Sequence, residues 1–165
     1  MYDGPVRKRL RYQGHDYRAP CCVHVTICTY RGQHLFGTIS PTGLHLNDAG
    51  QFAADALRSL HSDAAGIAID TSIVMPDHVH AIIVLGTNPN VQTTDAIPDV
   101  VRRFKMRVMK SWPGGIRTRG WAPYDTQLWH RSYNDKIIRN DEHLQRTRAY
   151  ILANPARWLE RHHPG

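Results

Sequence analysis

The chain has 165 residues, of which 41% are hydrophobic and 21% charged, with 21 Lys and Arg against 14 Asp and Glu. No apolar run reaches the roughly 18–20 residues that a membrane span needs, and the hydrophobic fraction excludes a disordered basic tail protein. The formal charge of +7 favours a polyanionic partner.

One domain is expected over residues 21–160, preceded by a basic arm over residues 1–20 that contains RKRLRY. Charges stand where a signal peptide would have its apolar region, so we expect a cytoplasmic protein without a membrane partner. The three cysteines, Cys21, Cys22 and Cys28, have no CxxC spacing and are expected to be reduced strand residues.

The first half of the domain predicts a strand, a hairpin and a helix. In CVHVTICT (22–29) apolar and polar residues alternate, which is the period of a strand. LFGTISPTGLHL (35–46) predicts a hairpin around its Ser-Pro-Thr-Gly turn. Asn47 and Asp48 are candidate N-caps of a helix. Its apolar positions are Phe52, Ala53, Ala56, Leu57 and Leu60.

Two strands follow, because GIAIDTSIVMP (66–76) and HVHAIIVLG (78–86) are rich in β-branched residues. Only Pro76 and Asp77 separate them, which predicts an antiparallel pair joined by a tight turn. TNPNVQTTD (87–95) is expected to be a loop.

The last third predicts a helix, an extended segment and a second helix. Apolar spacing predicts a helix over 97–110, and PGGIRTRG (113–120) is expected to break it. LWHRSYNDKIIR (128–139) is predicted to be extended or a hairpin. Asn140 is a candidate N-cap of the final helix, which Pro155 follows. This order predicts an α+β fold with a single antiparallel sheet, close to the ferredoxin-like βαββαβ arrangement.

His78 and His80 stand two positions apart at the start of a predicted strand, so they share one face. Two adjacent imidazoles can bind one divalent metal ion, but a catalytic metal needs a further ligand. On spacing alone, two histidines at a strand end that bind no metal are the more usual interpretation.

The final helix offers a further ligand and a nucleophile. Tyr150 and Asn154 are four residues apart and share a helix face. An amide oxygen can bind a metal ion, and a phenol beside the metal is placed for attack if it is helped to ionise. His143 and Arg146 lie near the same face, where they would support a phosphate. The alternative for Tyr150 is a tyrosine packed against the core.

Basic residues cluster in the arm and in the helix over 97–110. Each cluster alone is typical of a solvated surface, but with the net charge they favour contact with a phosphate backbone. In the helix the candidates are Arg102, Arg103 and Lys105. The aromatic residues Tyr12, Trp112, Trp121 and Tyr124 are candidates for stacking on bases, although packing is the more usual role.

Three motifs, in this order, resemble one known family. VMPDHVHAIIVL, LWHRSYNDKIIRNDEHL and AYILANPARW are similar to those of the HUH-type tyrosine transposases of the single-strand insertion-sequence (Y1) class, in particular the REP-associated branch. The resemblance covers about residues 20–158 and includes VTICTYRGQHLF and VVRRFKMRV. It implies the HUH endonuclease fold and a bacterial, DNA-associated enzyme.

The resemblance assigns roles residue by residue. The paired metal histidines of the family fall on His78 and His80, its nucleophile on Tyr150 and its polar ligand on Asn154. The implied metal is Mg²⁺ or Mn²⁺, although imidazole ligands would also suit Zn²⁺. Asp77 stands where the family often has Asn, a change in a turn from which we expect little consequence.

The resemblance also implies a partner and an activity. The family forms homodimers and cuts and rejoins single-stranded DNA beside imperfect hairpins. In the REP-associated branch a basic arm helps to read the DNA flank, which gives a role to Arg7, Lys8, Arg9 and Arg11. The chain ends at Gly165, where many members continue, so the C-terminal contacts of those members are not assumed.

The expected reaction is metal-assisted attack by Tyr150 on a phosphodiester, giving a 5′-phosphotyrosine and a free 3′-OH. Arg146 is expected to contact the DNA. The alternatives are a retired transposase that only binds DNA, and a metal-dependent phosphodiesterase that uses water. Tyr133 is a rival nucleophile, but it has no ligand-type partner one helical turn away.

Overall fold

A computed structural model describes residues 21–63, 66–86 and 96–162. The basic arm (1–20) and the expected loop (87–95) lie outside these residues. In chain order the elements are β1 (Cys21–Cys28), β2 (Gly37–Ser40), β3 (Gly43–Leu46), α1 (Asp48–Asp63), β4 (Ile67–Val74), β5 (His78–Leu85), α2 (Ile97–Arg119), β6 (Asn134–Ile138), α3 (Asp141–Leu152) and α4 (Asn154–His162).

The main sheet has four antiparallel strands in the order β4-β5-β1-β6. With the β2–β3 hairpin set aside as an insertion, the order of elements up to β6 is βαββαβ, so the predicted α+β fold is confirmed. The hairpin pairs Ser40 with Gly43 across the predicted turn. Asn47 is confirmed as an N-cap, because its side chain accepts a hydrogen bond from Gly50 N at 2.9 Å.

The alternation along β1 and β5 gives the sheet two different faces. On one face Val23, Val25 and Ile27 of β1 are buried with Val79 and Ala81 of β5 in the main core, which α1 and α2 cover. Burial of each valine or isoleucine among them contributes about 1.5–3 kcal/mol. The histidines therefore project from the opposite face.

Helix α3 covers part of the histidine face through a second, smaller core. Ile82 of β5, Ile138 of β6 and Ile151 of α3 form this core and are 8% exposed or less. Asn140 is confirmed as the N-cap of α3, since its Oδ1 accepts a hydrogen bond from His143 N at 2.8 Å. The described helices include none long and apolar enough to cross a membrane.

The predicted break at 113–120 is wrong, because α2 continues through Pro113 to Arg119. Local propensity disfavours this helix, since Pro in a helix interior costs about 3 kcal/mol. Tertiary packing outweighs that cost: the buried Trp112 donates from Nε1 to Ala122 O at 3.0 Å, and Gly115 lies against the Trp121 ring. Both tryptophans therefore pack in the core.

The sequence did not predict α4. Helix α3 ends at Leu152, and the chain enters a second helix at Asn154 with Pro155 in its first turn. Pro is tolerated there because the first N–H groups of a helix have no intrahelical partner. Cys21, Cys22 and Cys28 lie on β1 as thiols, as predicted.

Two adjacent glycines test the extension of α2. A Cβ at Gly115 would collide with the Trp121 indole, whereas a Cβ at Gly114 meets nothing within 4 Å. We predict that Gly115→Ala lowers the free energy of unfolding by about 1–3 kcal/mol through overpacking. The matched Gly114→Ala should raise it by about 0.5–1 kcal/mol. Urea unfolding of both variants is the measurement, and an equal effect at the two positions would contradict the packing.

Candidate active site

The two histidines of β5 lie side by side at the first residues of the strand. His78 Nε2 lies 3.2 Å from His80 Nε2, and the rings are 4.7 Å apart between centroids. His80 is only 4% exposed. The strand therefore brings the two predicted ligands together with one ring nitrogen of each directed toward the same point.

Strand β1 adds two polar side chains to this group. His80 Nδ1 lies 3.0 Å from Thr26 Oγ1 and 3.1 Å from His24 Nε2. The sequence did not single out His24 or Thr26 as site residues. The alternation along 22–29 already placed both side chains on the polar face of the strand. Their proximity to His80 follows only from the pairing of Thr26 with His80 between β1 and β5.

Burial keeps His80 and His24, the two inner histidines of the site, uncharged. It lowers the pKa of His80 to about 3, helped by the charges of His78 and His24 and opposed by a hydrogen bond with the Asn154 side chain. Burial also lowers the pKa of His24 to about 4, with further lowering by Lys136 and His143. A neutral imidazole has one nitrogen lone pair available as a ligand or acceptor.

Asp77 orients the outer histidine. Its Oδ1 lies 2.6 Å from His78 Nδ1, so the tautomer with a proton on Nδ1 donates to the carboxylate and leaves the Nε2 lone pair free. Burial acts to raise the pKa of Asp77, but the hydrogen bond and charge of His78 outweigh it and the net pKa is lowered. Asp77 is thus more than the turn residue that we expected.

Tyr150 lies over the inner histidines of its own chain. Its ring centroid is 5.6 Å from that of His80 and 6.0 Å from that of His24, and the residue is 40% exposed. The Arg157 guanidinium of α4 lies 5.2 Å from the centre of the same ring. By contrast, Tyr133 packs against the main core on the other side of the sheet.

Asn154 joins the tyrosine helix to the histidines. It is 3% exposed, and its Nδ2 donates to Tyr150 O at 3.1 Å. Its side chain also forms the hydrogen bond that raises the pKa of His80. The sequence predicted that Asn154 belongs to the same helix as Tyr150, but it is the first residue of α4. It nevertheless lies beside His80.

An ion pair fastens α3 to the sheet. Arg148 donates from Nε to Asp70 Oδ2 at 2.8 Å and from a second nitrogen to Asp70 Oδ1. These bonds hold the pKa of Asp70 below its usual value. Asp70 lies where the register between β4 and β5 shifts, between Ile69 and Ser72. Such a bulge can redirect a side chain, and periodicity does not predict it.

The predicted basic residues fall on two sides of the sheet. His143 and Arg146 line a cavity beside Tyr150. Arg102, Arg103 and Lys105 belong to α2, which packs on the opposite face. Lys105 Nζ donates to His130 O at 2.8 Å and to Ser132 O at 3.2 Å, so it anchors the segment before β6. Their role in DNA binding stays a prediction, as does that of the arm.

The donor set at the histidines fits a divalent metal ion. In the described part of the chain, no group of three or more His, Cys, Asp or Glu side chains is arranged to hold a metal. His78, His80 and Asn154 instead offer two imidazoles and an amide. The Nε2 atoms are close enough to share an ion, and a carboxylate behind His78 is a usual orienting partner of a histidine ligand.

Comparisons with known proteins support the fold. The chain is 26% identical over 171 residues to an uncharacterised protein of Haemophilus influenzae, covering 92% of this chain and 89% of that one. A solved REP-associated tyrosine transposase bound to a REP hairpin matches with a TM-score of 0.61 at 17% identity, covering 89% of this chain and 74% of the other. The present chain therefore shares the fold of that transposase.

A second solved structure, of a candidate transposase from Deinococcus radiodurans R1, matches with a TM-score of 0.49 at 21% identity and covers 88% of this chain and 98% of the other. No protein-family model matches the chain.

The buried histidines predict a pH-dependent stability in metal-free buffer. The pKa of His24 is lowered to about 4 in the folded chain, below the roughly 6.5 of an unfolded histidine. The unfolded chain therefore binds more protons in this window, and stability falls as pH falls from about 6.5 to about 4. We predict that His24→Gln reduces this slope by up to about 1.4 kcal/mol per pH unit.

Urea unfolding between pH 7 and pH 4.5, with EDTA present, measures this slope. His45→Gln is the matched control, because His45 is an exposed residue of the β2–β3 hairpin. A slope that stays the same in His24→Gln would contradict a neutral, buried His24.

Proposed function

We propose that the protein is an HUH-type tyrosine transposase of the REP-associated kind, which cleaves and rejoins single-stranded DNA beside hairpins. The observation that carries the proposal is the position of Tyr150, an exposed phenol whose ring centre lies 5.6 Å from that of the buried His80. His78 and Asn154 complete a ligand set at the same place. The shared fold with a transposase solved with a REP hairpin supports the choice of substrate.

The reaction begins with attack by Tyr150 Oη on the phosphorus of a DNA phosphodiester. The bond from Oη to phosphorus forms as the bond to the 3′ oxygen breaks, and that oxygen leaves as a 3′-OH. Because Tyr150 is 40% exposed, its phenol proton can pass to solvent. The product is a 5′-phosphotyrosine, which keeps the energy of the ester, so a second 3′-OH can reverse the step without ATP.

The surrounding residues orient the reactants. Asn154 holds the carbonyl of Tyr150, and the Arg148–Asp70 pair fixes the turn before it. Positioning of this kind contributes to the rate because it aligns the nucleophile before attack. Arg157 lies over the Tyr150 ring and places a cation near the incoming phosphate.

We propose that His78, His80 and Asn154 hold Mg²⁺ or Mn²⁺, which when bound would neutralise negative charge that develops on the phosphate. An amide ligand and an oxygen-rich substrate favour these ions over Zn²⁺. Asp77 would keep His78 in the required tautomer. The expected homodimer stays a prediction.

The nucleophile is tested by replacing each of the two candidate tyrosines. Tyr150→Phe should abolish the covalent protein–DNA adduct formed with labelled hairpin DNA and Mn²⁺ on a denaturing gel. The matched Tyr133→Phe should retain it, because Tyr133 packs on the other face of the sheet. Circular dichroism of both variants checks that they fold.

Two other outcomes would reassign the function. Cleavage that persists in Tyr150→Phe would identify water or Tyr133 as the nucleophile. Hairpin binding without an adduct in the wild-type protein, over several hairpins and both metals, would indicate a retired transposase that only binds DNA.

The metal site is tested by Mn²⁺ titration calorimetry. His78→Ala should abolish binding because it removes a ligand. Asp77→Ala should weaken it by about 10- to 100-fold, since it removes only the group that orients that ligand. His45→Ala in the hairpin should bind like the wild type, and unchanged affinity in His78→Ala would place the metal elsewhere.

A further inference from the structure

A cavity of about 630 Å³ lies between the edge strand β6 and helix α3, and Tyr150 forms part of its wall. Asn134 pairs with Thr26 and Lys136 pairs with His24, so both β6 side chains project from the same sheet face as the histidines. Across the cavity, Arg146 lies one turn before Tyr150 on α3. The cavity is thus continuous with the site of attack.

The chemistry of the wall matches a nucleotide. Its volume falls within the roughly 300–1,000 Å³ of ligand pockets. Lys136 and Arg146 supply two cations, and the Asn134 amide offers both a donor and an acceptor. Arg146 pairs with Glu142 at 2.8 Å, but both side chains are more than 60% exposed, and such surface pairs are weak enough for a phosphate to displace.

A strand that presents a phosphodiester to Tyr150 continues in two directions, and the cavity borders Tyr150 directly. We propose that the cavity holds the nucleotide next to the scissile phosphodiester of single-stranded DNA, with Lys136 and Arg146 toward its phosphate and Asn134 toward its base. This inference rests on the proposed function. It makes β6, which carries none of the three proposed metal ligands, a determinant of which flanking base is accepted.

The proposal is tested by filling the cavity with a larger side chain and then removing one base from the DNA to relieve the clash. Asn134→Trp should fill the cavity while keeping the strand, since aromatic residues are favoured in strands. With an intact hairpin substrate and Mn²⁺, its rate of adduct formation should fall about tenfold or more. An abasic site at the one nucleotide next to the cleavage point should restore the rate, and abasic sites at other flanking positions should not.

Asn134→Ala provides a second measurement that depends less on folding. With intact DNA its KM should rise about 5- to 100-fold, the range expected for loss of contacts to a base. Removing the adjacent base should then have little further effect, whereas it should raise the KM of the wild type. Gln51→Ala, on the exposed side of α1, is the control for loss of an amide outside the cavity, and its KM should equal that of the wild type.

The outcomes separate this inference from the proposed function. Wild-type adduct formation with an unchanged rate in Asn134→Trp would overturn the nucleotide subsite and leave the transposase proposal intact. Two results together would also overturn the subsite and leave the transposase proposal intact. These are an Asn134→Trp rate that no abasic position restores, and an Asn134→Ala KM that rises on base removal as much as that of the wild type. Absence of any wild-type adduct would instead contradict the proposed function itself.

Discussion

The site depends on one packing constraint, the attachment of α3 to the polar face of the sheet. Tyr150 belongs to α3 and the histidines belong to the sheet, so their distance is set by how the helix docks. Ile151 packs against Ile82 and Ile138, and the Arg148–Asp70 pair adds a two-bonded, partly buried ion pair beside it. This second core has far fewer buried residues than the main core, so these few side chains carry most of the positioning.

The two faces of the sheet divide stability from chemistry. The main core, in which Val25 and Val79 are fully buried, lies on one face and consists of hydrophobic side chains. The other face buries His80 and half-buries His24, whose burial would be costly without hydrogen bonds. Thr26, Asn154 and the neighbouring imidazole supply those bonds, so His80 and His24 remain neutral and oriented.

Periodicity and β-branched content were enough to predict strands β1, β4 and β5, helix α1 and the first part of α2, because alternation and helical spacing follow directly from burial. Periodicity also placed His78 and His80 on one face. The bulge at Asp70 was not predictable, since a shift in register arises from the pairing of two strands and not from either sequence alone. The extension of α2 through Pro113 was mispredicted because the contact of Gly115 with Trp121 overrides local propensity. His24 was overlooked for a similar reason, as its role appears only when β1 is paired with β5.

The central claim is that the phenol of Tyr150 forms the bond to DNA. The most direct measurement is mass spectrometry of the covalent product after digestion with trypsin and nuclease. A nucleotide attached through phosphate to Tyr150, in the peptide that follows Arg148, is the expected result. A nucleotide attached to any other residue, or adducts in which the peptide with Tyr150 is entirely unmodified, would contradict it.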